Sequence, residues 1–235
     1  MSAARRKALI TGGSGGIGRA CAATLVARGY DVVLTARRPD RLKAVASTIG
    51  AKYIPADCSD PSEVDQAVEE MGELSMVIHA AGILDGTFVR NQPIEVFDRV
   101  IAANLRSAYI ITKAALKKMG PGSRLIYISS TAGLKGMKGL SAYSASKAGI
   151  EALAQSVAQE VEREGIAVHL ITPAPVRTEM IGPDPGVVMW LLEPDDIASA
   201  VGWLDSLHPR VVVREIVLRS VVEGPFAPDP VGKHL

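Results

Sequence analysis

The stretch Lys7-Ala8-Leu9-Ile10-Thr11-Gly12-Gly13-Ser14-Gly15-Gly16-Ile17-Gly18 decides the fold of this 235-residue chain. Its first five residues form a short apolar run stopped by glycine, which reads as a buried strand. Helical spacing starts at Gly16 and continues to Arg28. Glycines at 12, 16 and 18 allow a tight turn and close backbone approach, so main-chain N–H groups and the helix N-terminus can face a pyrophosphate. A glycine motif alone is weak evidence; a strand before it and a helix after it supply the context a dinucleotide site requires. The candidate binding residues in this loop are Gly12, Ser14, Gly15, Gly16, Ile17 and Gly18.

Outward from this stretch the pattern repeats. Short runs at 31–35, 52–56, 76–79, 124–129, 167–172 and 211–218 read as strands. Between them, residues 39–49, 61–71, 94–118, 143–164 and 194–207 carry helical spacing or propensity. The β-α alternation predicts a single doubly wound, Rossmann-type α/β domain over residues 1–222, with a mainly parallel seven-stranded sheet and helices on both faces. Residues 223–235, with Pro225, Pro228 and Pro230, read as an extended tail.

Composition narrows the classes of function. A hydrophobic content of 48% and a charged content of 22% are those of an ordinary soluble globular protein. The net charge of +1 gives no electrostatic reason to expect nucleic acid or an anionic membrane as partner. The apolar run behind Arg5-Arg6-Lys7 is too short for an export signal, and runs such as Val187 to Leu192 are far short of a membrane span. Cys21 and Cys58 cannot build a disulfide framework, and neither they nor His79, His169, His208 and His234 have metal-ligand spacing. The expectation is a cytoplasmic protein with reduced thiols and no metal site.

A second stretch carries the chemistry: Ser141-Ala142-Tyr143-Ser144-Ala145-Ser146-Lys147, behind the strand-like run that ends at Ser129. In a helix, Tyr143 and Lys147 lie one turn apart on one face. A phenol with an ordinary pKa of about 10 is a poor acid-base catalyst at neutral pH. A neighbouring ammonium favours the phenolate and is expected to move Tyr143 toward the range useful for proton transfer. Ser130 could return to the same point through the intervening loop and donate a hydrogen bond to a substrate oxygen. A tyrosine and a lysine one turn apart also occur on ordinary helix surfaces, so this pair gains meaning only beside the glycine loop.

Taken together, Thr11-x-x-x-x-Gly16-x-Gly18 with Gly12, then His79-Ala80-Ala81-Gly82, Asn104, Ser130, Tyr143-x-x-x-Lys147 and Pro173-x-x-Val176-x-Thr178 resemble the classical short-chain dehydrogenase/reductase family. The resemblance runs from about residue 7 to residue 218. It departs from the usual pattern at His79, where the family commonly has Asn, and at Ala174, where it commonly has Gly. The resemblance implies hydride transfer between a nicotinamide and a carbonyl or secondary alcohol. Ser130 would hold the substrate oxygen, Tyr143 would exchange the proton, and Lys147 would lower the tyrosine pKa and bind the nicotinamide ribose. Asn104 would hold a water that links the lysine to solvent, and Thr178, with Pro173 and Val176 leading to it, would hold the carboxamide. Asp57 and the Cys58 backbone would contact adenine, although Asp57 could equally cap a loop. The small residues Ala80, Ala81 and Gly82 would leave room for a ribose. The helices containing Asn104 and Tyr143 would pair with their copies across a two-fold axis, giving a homodimer or homotetramer.

The second strand selects the coenzyme. It ends Leu34-Thr35-Ala36-Arg37-Arg38, with no carboxylate to hold a ribose 2′-hydroxyl and two guanidinium groups suited to a 2′-phosphate, so NADP(H) is expected. Glu179 reads as a helix cap. Residues 179–193 contain Met180, Ile181, Val187, Val188, Met189, Trp190, Leu191 and Leu192, with Gly182 and Gly186 as hinges, and are expected to close an apolar wall over the site. The expected substrate is therefore a small to medium, mainly apolar ketone, aldehyde or alcohol. Hydroxy or keto acids follow if Lys135 or Lys138 turns inward. Two other readings stand beside this one. A nucleotide-sugar epimerase or dehydratase would need more than the 57 residues that follow Thr178, and a non-catalytic NADP sensor would have no need of Ser130, Tyr143, Lys147 and Asn104.

Overall fold

A computed structural model describes residues 6–181 and 191–221. The tail at 223–235 and the greater part of the apolar segment at 179–193, including Gly182, Gly186 and Trp190, lie outside the described residues. The strands are β1 (Lys7–Thr11), β2 (Asp31–Ala36), β3 (Lys52–Pro55), β4 (Leu74–His79), β5 (Met119–Ile128), β6 (Ala167–Pro173) and β7 (Glu215–Leu218). They form one seven-stranded sheet in the order β3-β2-β1-β4-β5-β6-β7, and every pairing is parallel. No antiparallel edge strand occurs among them, so the sheet is wholly parallel.

Helices α1 (Gly16–Ala27), α2 (Pro39–Ile49) and α8 (Pro194–Ser206) cover one face. Helices α3 (Pro61–Glu69), α4 (Ile94–Ile101), α5 (Ser107–Leu116) and α7 (Ser141–Glu160) lie in the other half of the chain's crossovers, and α3, α5 and α7 pack on the opposite face. The period-2 alternation of strands divides the core. Ala8, Ile10, Val32, Leu34, Met76, Ile78 and Ile126 meet α1, α2 and α8, whereas Leu9, Val33, Val77, Leu125 and Val168 meet α3, α5 and α7. Both faces are buried, which is why these strands read as nearly continuous apolar runs. No helix of the described residues is long and apolar enough to cross a membrane.

Strand addition reverses at β1, which has β2 on one side and β4 on the other. In an open parallel sheet that reversal opens a crevice at the strands' carboxyl ends, where ligands bind. The glycine loop lies there. Gly12 has φ +66°, and a Cβ on it would stand 2.7 Å from the Ala80 carbonyl oxygen beyond β4. A Cβ on Gly18 would stand 2.5 Å from the Gly12 carbonyl oxygen. The loop is thus folded onto its own helix and onto the end of β4 so closely that no side chain fits at either position.

Several boundaries differ from the sequence reading. The helix expected over 94–118 is two helices joined by a turn of π-helix at Ala102–Arg106. β5 begins at Met119, ahead of the expected 124, and passes through Pro121 and Gly122 with a register shift against β4 between Leu74 and Met76. β7 is shorter than expected and starts at Glu215, and α7 ends at Glu160 before a separate 3₁₀ turn at Glu162–Glu164. A short helix, α6 (Thr131–Leu134), occupies part of the loop after Ser130.

Candidate active site

Ser130 sits immediately past β5 in extended conformation (φ −164°, ψ 151°) and caps α6, its Oγ accepting the Ala132 N–H at 3.2 Å. Capping fixes the serine's position relative to the strand end. The Tyr143 phenol comes close enough to Ser130 for the serine side chain to oppose the rise in its pKa, so the two groups that the sequence separates by a thirteen-residue step lie side by side. Lys147 is one turn further along α7; its Nζ lies 5.7 Å from the centroid of the Tyr143 ring and donates to the Ile128 carbonyl at 3.0 Å. Only 6% of Lys147 is exposed, which is unusual for a lysine and places its charge in the interior.

The electrostatics correct one expectation. Burial raises the Tyr143 phenol above its ordinary value, with the Ser130 hydrogen bond opposing that shift. Lys147 is itself pushed down to about 8, because burial penalises its charged form and no carboxylate compensates. The tyrosine is therefore a protonated acid at neutral pH, the opposite direction from the lowered pKa expected of the pair.

Asn104 lies in the π turn, fully buried. Its Oδ1 accepts the Ile83 N–H at 2.7 Å, and its Nδ2 donates to the Ile83 carbonyl at 3.0 Å and to Ser146 Oγ at 2.9 Å. Ser146 Oγ donates in turn to the Tyr143 carbonyl at 2.7 Å. Both amide protons and the oxygen thus have protein partners, so the side chain holds the α7 turn between Tyr143 and Lys147. A Cβ on Gly82 would stand 3.0 Å from Asn104 Oδ1 and 3.8 Å from Lys147 Nζ, which explains the glycine there. Ser146, Ile83 and the Ile128 carbonyl were not among the candidate residues; Ser146 was visible only as part of the Ser-Ala-Ser-Lys run.

His79 explains its own departure from the family pattern. The Ala81 N–H donates to Thr11 Oγ1 at 3.1 Å, and Thr11 Oγ1 lies 3.0 Å from His79 Nδ1. His79 Nε2 lies 3.4 Å from Ser107 Oγ, which donates to the Ala103 carbonyl at 2.6 Å. One set of roles satisfies the whole chain: the threonine hydroxyl donates to Nδ1 and the ring donates from Nε2. Burial pushes the His79 pKa down to about 3, so the ring stays neutral and ties β4 to β1 and α5. Ala174 lies in ordinary backbone, since no described residue other than glycine has positive φ, and its N–H bonds the Leu218 carbonyl at 2.8 Å.

The nucleotide crevice also takes form. Gly15, at the N-cap of α1, offers no side-chain cap, leaving the helix N-terminus to its own backbone N–H groups. Thr178 lies over this loop: a Cβ on Gly16 would stand 3.1 Å from Thr178 Cγ2. Val176 pairs with Leu192, and Arg177 Nε donates to Glu193 Oε1 at 2.6 Å, so the segment that follows Pro173 is closed at its base. Arg37 and Arg38 are exposed past β2, and neither forms an ion pair among the described residues. Asp57 Oδ1 accepts from Ser59 N–H at 2.9 Å and from Ser59 Oγ at 2.7 Å, which is the loop-capping role, and Cys58 is buried with its thiol pushed up to about 12. At the same edge of the sheet, Thr35 Oγ1 is buried with no hydrogen-bond partner among the described residues. An uncapped helix N-terminus, glycines with no space for a Cβ and free guanidinium groups together suit a phosphorylated dinucleotide. Lys135 and Lys138 are both exposed, and Lys138 Nζ lies 5.4 Å from the centroid of the Phe88 ring. The Glu179 carboxylate pairs with Arg41 on α2.

A parallel sheet whose reversal point opens onto such a loop defines a nucleotide-binding protein of the doubly wound class. Comparison with known proteins is narrower. The short chain dehydrogenase family profile matches residues 6–185, and the chain belongs to that family of oxidoreductases. A short-chain dehydrogenase/reductase of Armillaria gallica is 36% identical over 243 aligned positions, covering 90% of this chain and 93% of the relative. Among solved structures, BdcA in complex with NADPH superposes with a TM-score of 0.85 at 26% identity, covering 91% of this chain and 92% of its own. A short chain dehydrogenase from Burkholderia cenocepacia in complex with NADP superposes with a TM-score of 0.83 at 28% identity, covering 91% and 96%.

Proposed function

We propose that the protein is an NADP(H)-dependent oxidoreductase acting on a carbonyl or secondary alcohol, with Ser130, Tyr143 and Lys147 as catalytic residues and Asn104 as a positioning residue. The observation that carries this reading is the meeting of Ser130 with Tyr143 above a buried Lys147, beside the glycine loop. NADP(H), when bound, supplies or accepts the hydride. Ser130 donates a hydrogen bond to the substrate oxygen, and Tyr143, protonated in its buried site, gives that oxygen its proton in the reducing direction. Lys147 supplies the nearby positive charge that the developing tyrosinate needs. Asn104 and Ser146 keep the Tyr143 to Lys147 turn in register. Gly12, Ser14, Gly15, Gly16, Ile17 and Gly18 would hold the pyrophosphate, Ala80, Ala81 and Gly82 would leave room for the ribose, Pro173, Val176 and Thr178 would hold the nicotinamide end, and Asp57 and Cys58 would flank the adenine.

Ala36, Arg37 and Arg38 support NADP(H) over NAD(H), and both nucleotide-bound neighbours described above carry the phosphorylated form. Arg37→Ala is expected to lower kcat/KM for NADPH by at least about tenfold, as befits loss of a charge-assisted hydrogen bond, and to leave NADH nearly unaffected. Initial rates with both nucleotides test this. A wild-type enzyme more efficient with NADH would overturn it.

Exposed Leu134 and Met137 follow Ser130, and Lys138 is turned toward Phe88, which supports a mainly apolar substrate over a carboxylate. For assembly, Ile150 and Val157 belong to the subunit core, whereas Ala145, Ala148 and Ala152 form an exposed stripe on α7 near exposed residues of α4 such as Ile94 and Phe97. Such a stripe allows a second helix to approach closely, and light scattering at micromolar concentration is expected to give a dimer or tetramer. A monomer would contradict that arrangement.

A further inference from the structure

Arg41 stands in the first turn of α2, three residues past Arg38. Its Nε donates to the Ser14 carbonyl of the glycine loop at 3.1 Å, and one of its terminal nitrogens donates to the carboxylate of Glu179. Glu179 directly follows Thr178, so this ion pair joins the two sides of the nucleotide crevice. The Glu179 carboxyl is held below its ordinary range first by the Arg41 hydrogen bond and then by the charges of Arg41, Arg38 and Arg19. An exposed ion pair is ordinarily of little consequence, and Glu179 is 74% exposed. This one differs in its anchoring: the Ser14 carbonyl orients the guanidinium at the nucleotide loop, beside the two arginines that follow β2.

We infer that Glu179 is an internal competitor for the coenzyme's 2′-phosphate: Arg41 is a third arginine of the phosphate-reading group, and NADP binding must draw it away from Glu179. The inference rests on the NADP reading above. The physical reason is charge. With Nε committed to Ser14, Arg41 offers its terminal nitrogens to an anion, and Glu179 already holds one of them. A phosphate monoester carries about −1.5 to −2 charges at neutral pH, so it displaces a single carboxylate from Arg41. NAD, whose 2′-hydroxyl is neutral, makes no such demand. Glu179 thus weakens the binding of NADP selectively, and the sequence distance of 138 positions between Arg41 and Glu179 hides the pair from any local reading.

The test is calorimetric titration of NADP⁺ and NAD⁺ into the wild type, Glu179→Gln, Arg41→Ala and the double variant at low ionic strength. Glu179→Gln is expected to tighten NADP⁺ about threefold to fivefold, the range of exposed charge pairs, and to leave NAD⁺ unchanged. Arg41→Ala is expected to weaken NADP⁺ by about tenfold or more, with a smaller loss for NAD⁺. In the Arg41→Ala background the gain from Glu179→Gln should vanish, since the two residues act as one unit. A Glu179→Gln variant that tightens both nucleotides equally, or neither, would overturn the inference, and so would a gain that persists without Arg41. A wild type that binds NAD⁺ as tightly as NADP⁺ would remove the NADP reading and this inference with it. A wild-type preference for NADP⁺ with an inert Glu179→Gln would remove this inference alone.

Discussion

Tyr143→Phe is expected to lower turnover by about 10²–10⁴-fold, the usual contribution of general acid-base catalysis, while nucleotide binding remains close to that of the wild type. The selectivity of the effect follows from the packing. The aromatic ring and its place one turn before Lys147 survive the change, and Ser130 keeps the Ala132 N–H as a partner. What disappears is a hydroxyl that burial keeps protonated beside the Ser130 side chain. Steady-state rates with calorimetric nucleotide binding check both halves of the expectation. Retention of more than about a tenth of the wild-type rate would show that the proton comes from elsewhere.

Lys147→Met should produce two effects of opposite sign. Turnover is expected to fall by about 10² or more, because the positive charge beneath the tyrosine is gone. Stability at neutral pH is expected to rise. The fall in the lysine pKa from 10.5 to about 8 corresponds to about 3 kcal/mol of penalty for keeping the charge buried, at about 1.4 kcal/mol per pKa unit. Losing the hydrogen bond to the Ile128 carbonyl returns about 1–2 kcal/mol of that. The sign with pH follows from proton binding: between about 8 and 10.5 the unfolded chain binds more protons than the folded one, so wild-type stability rises through that window. The stability advantage of Lys147→Met should therefore be full below about pH 8 and fade toward pH 10.5. Thermal unfolding at pH 7 and pH 10 measures it; a variant less stable than the wild type at pH 7 would contradict the buried-charge reading.

The legible parts of this protein were those written locally. The glycine loop, β1 and α1 lie within one continuous stretch, and most other strands are legible as short apolar runs, separated by longer helical patterns, because both sheet faces are buried. Ser130, Tyr143 and Lys147 were legible from their spacing, which a single loop and one helical turn convert into proximity. What escaped was set at a distance. The π turn at Ala102–Arg106 breaks an otherwise uniform helical pattern, and Asn104 within it bonds Ile83, 21 positions away, a partner no window over 94–118 contains. The direction of the Tyr143 shift is set by burial, which the spacing of tyrosine and lysine does not show. Asn104's side chain engages Ser146 and Ile83 for the same reason. The ion pair of Glu179 is hidden for the same reason, because its partner Arg41 belongs to a helix 138 positions away.

Hydride transfer itself is most directly measured with NADPH carrying deuterium at C4 of the nicotinamide, incubated with a panel of apolar ketones and aldehydes alongside keto acids. Mass spectrometry of the products then asks where the label goes. The expected result is deuterium on the former carbonyl carbon of at least one apolar substrate with the wild-type protein, with its appearance slowed about 10²-fold or more by Tyr143→Phe. Absence of labelled alcohol across the panel, or labelling at the same rate with Tyr143→Phe, would contradict a Ser130–Tyr143–Lys147 reductase.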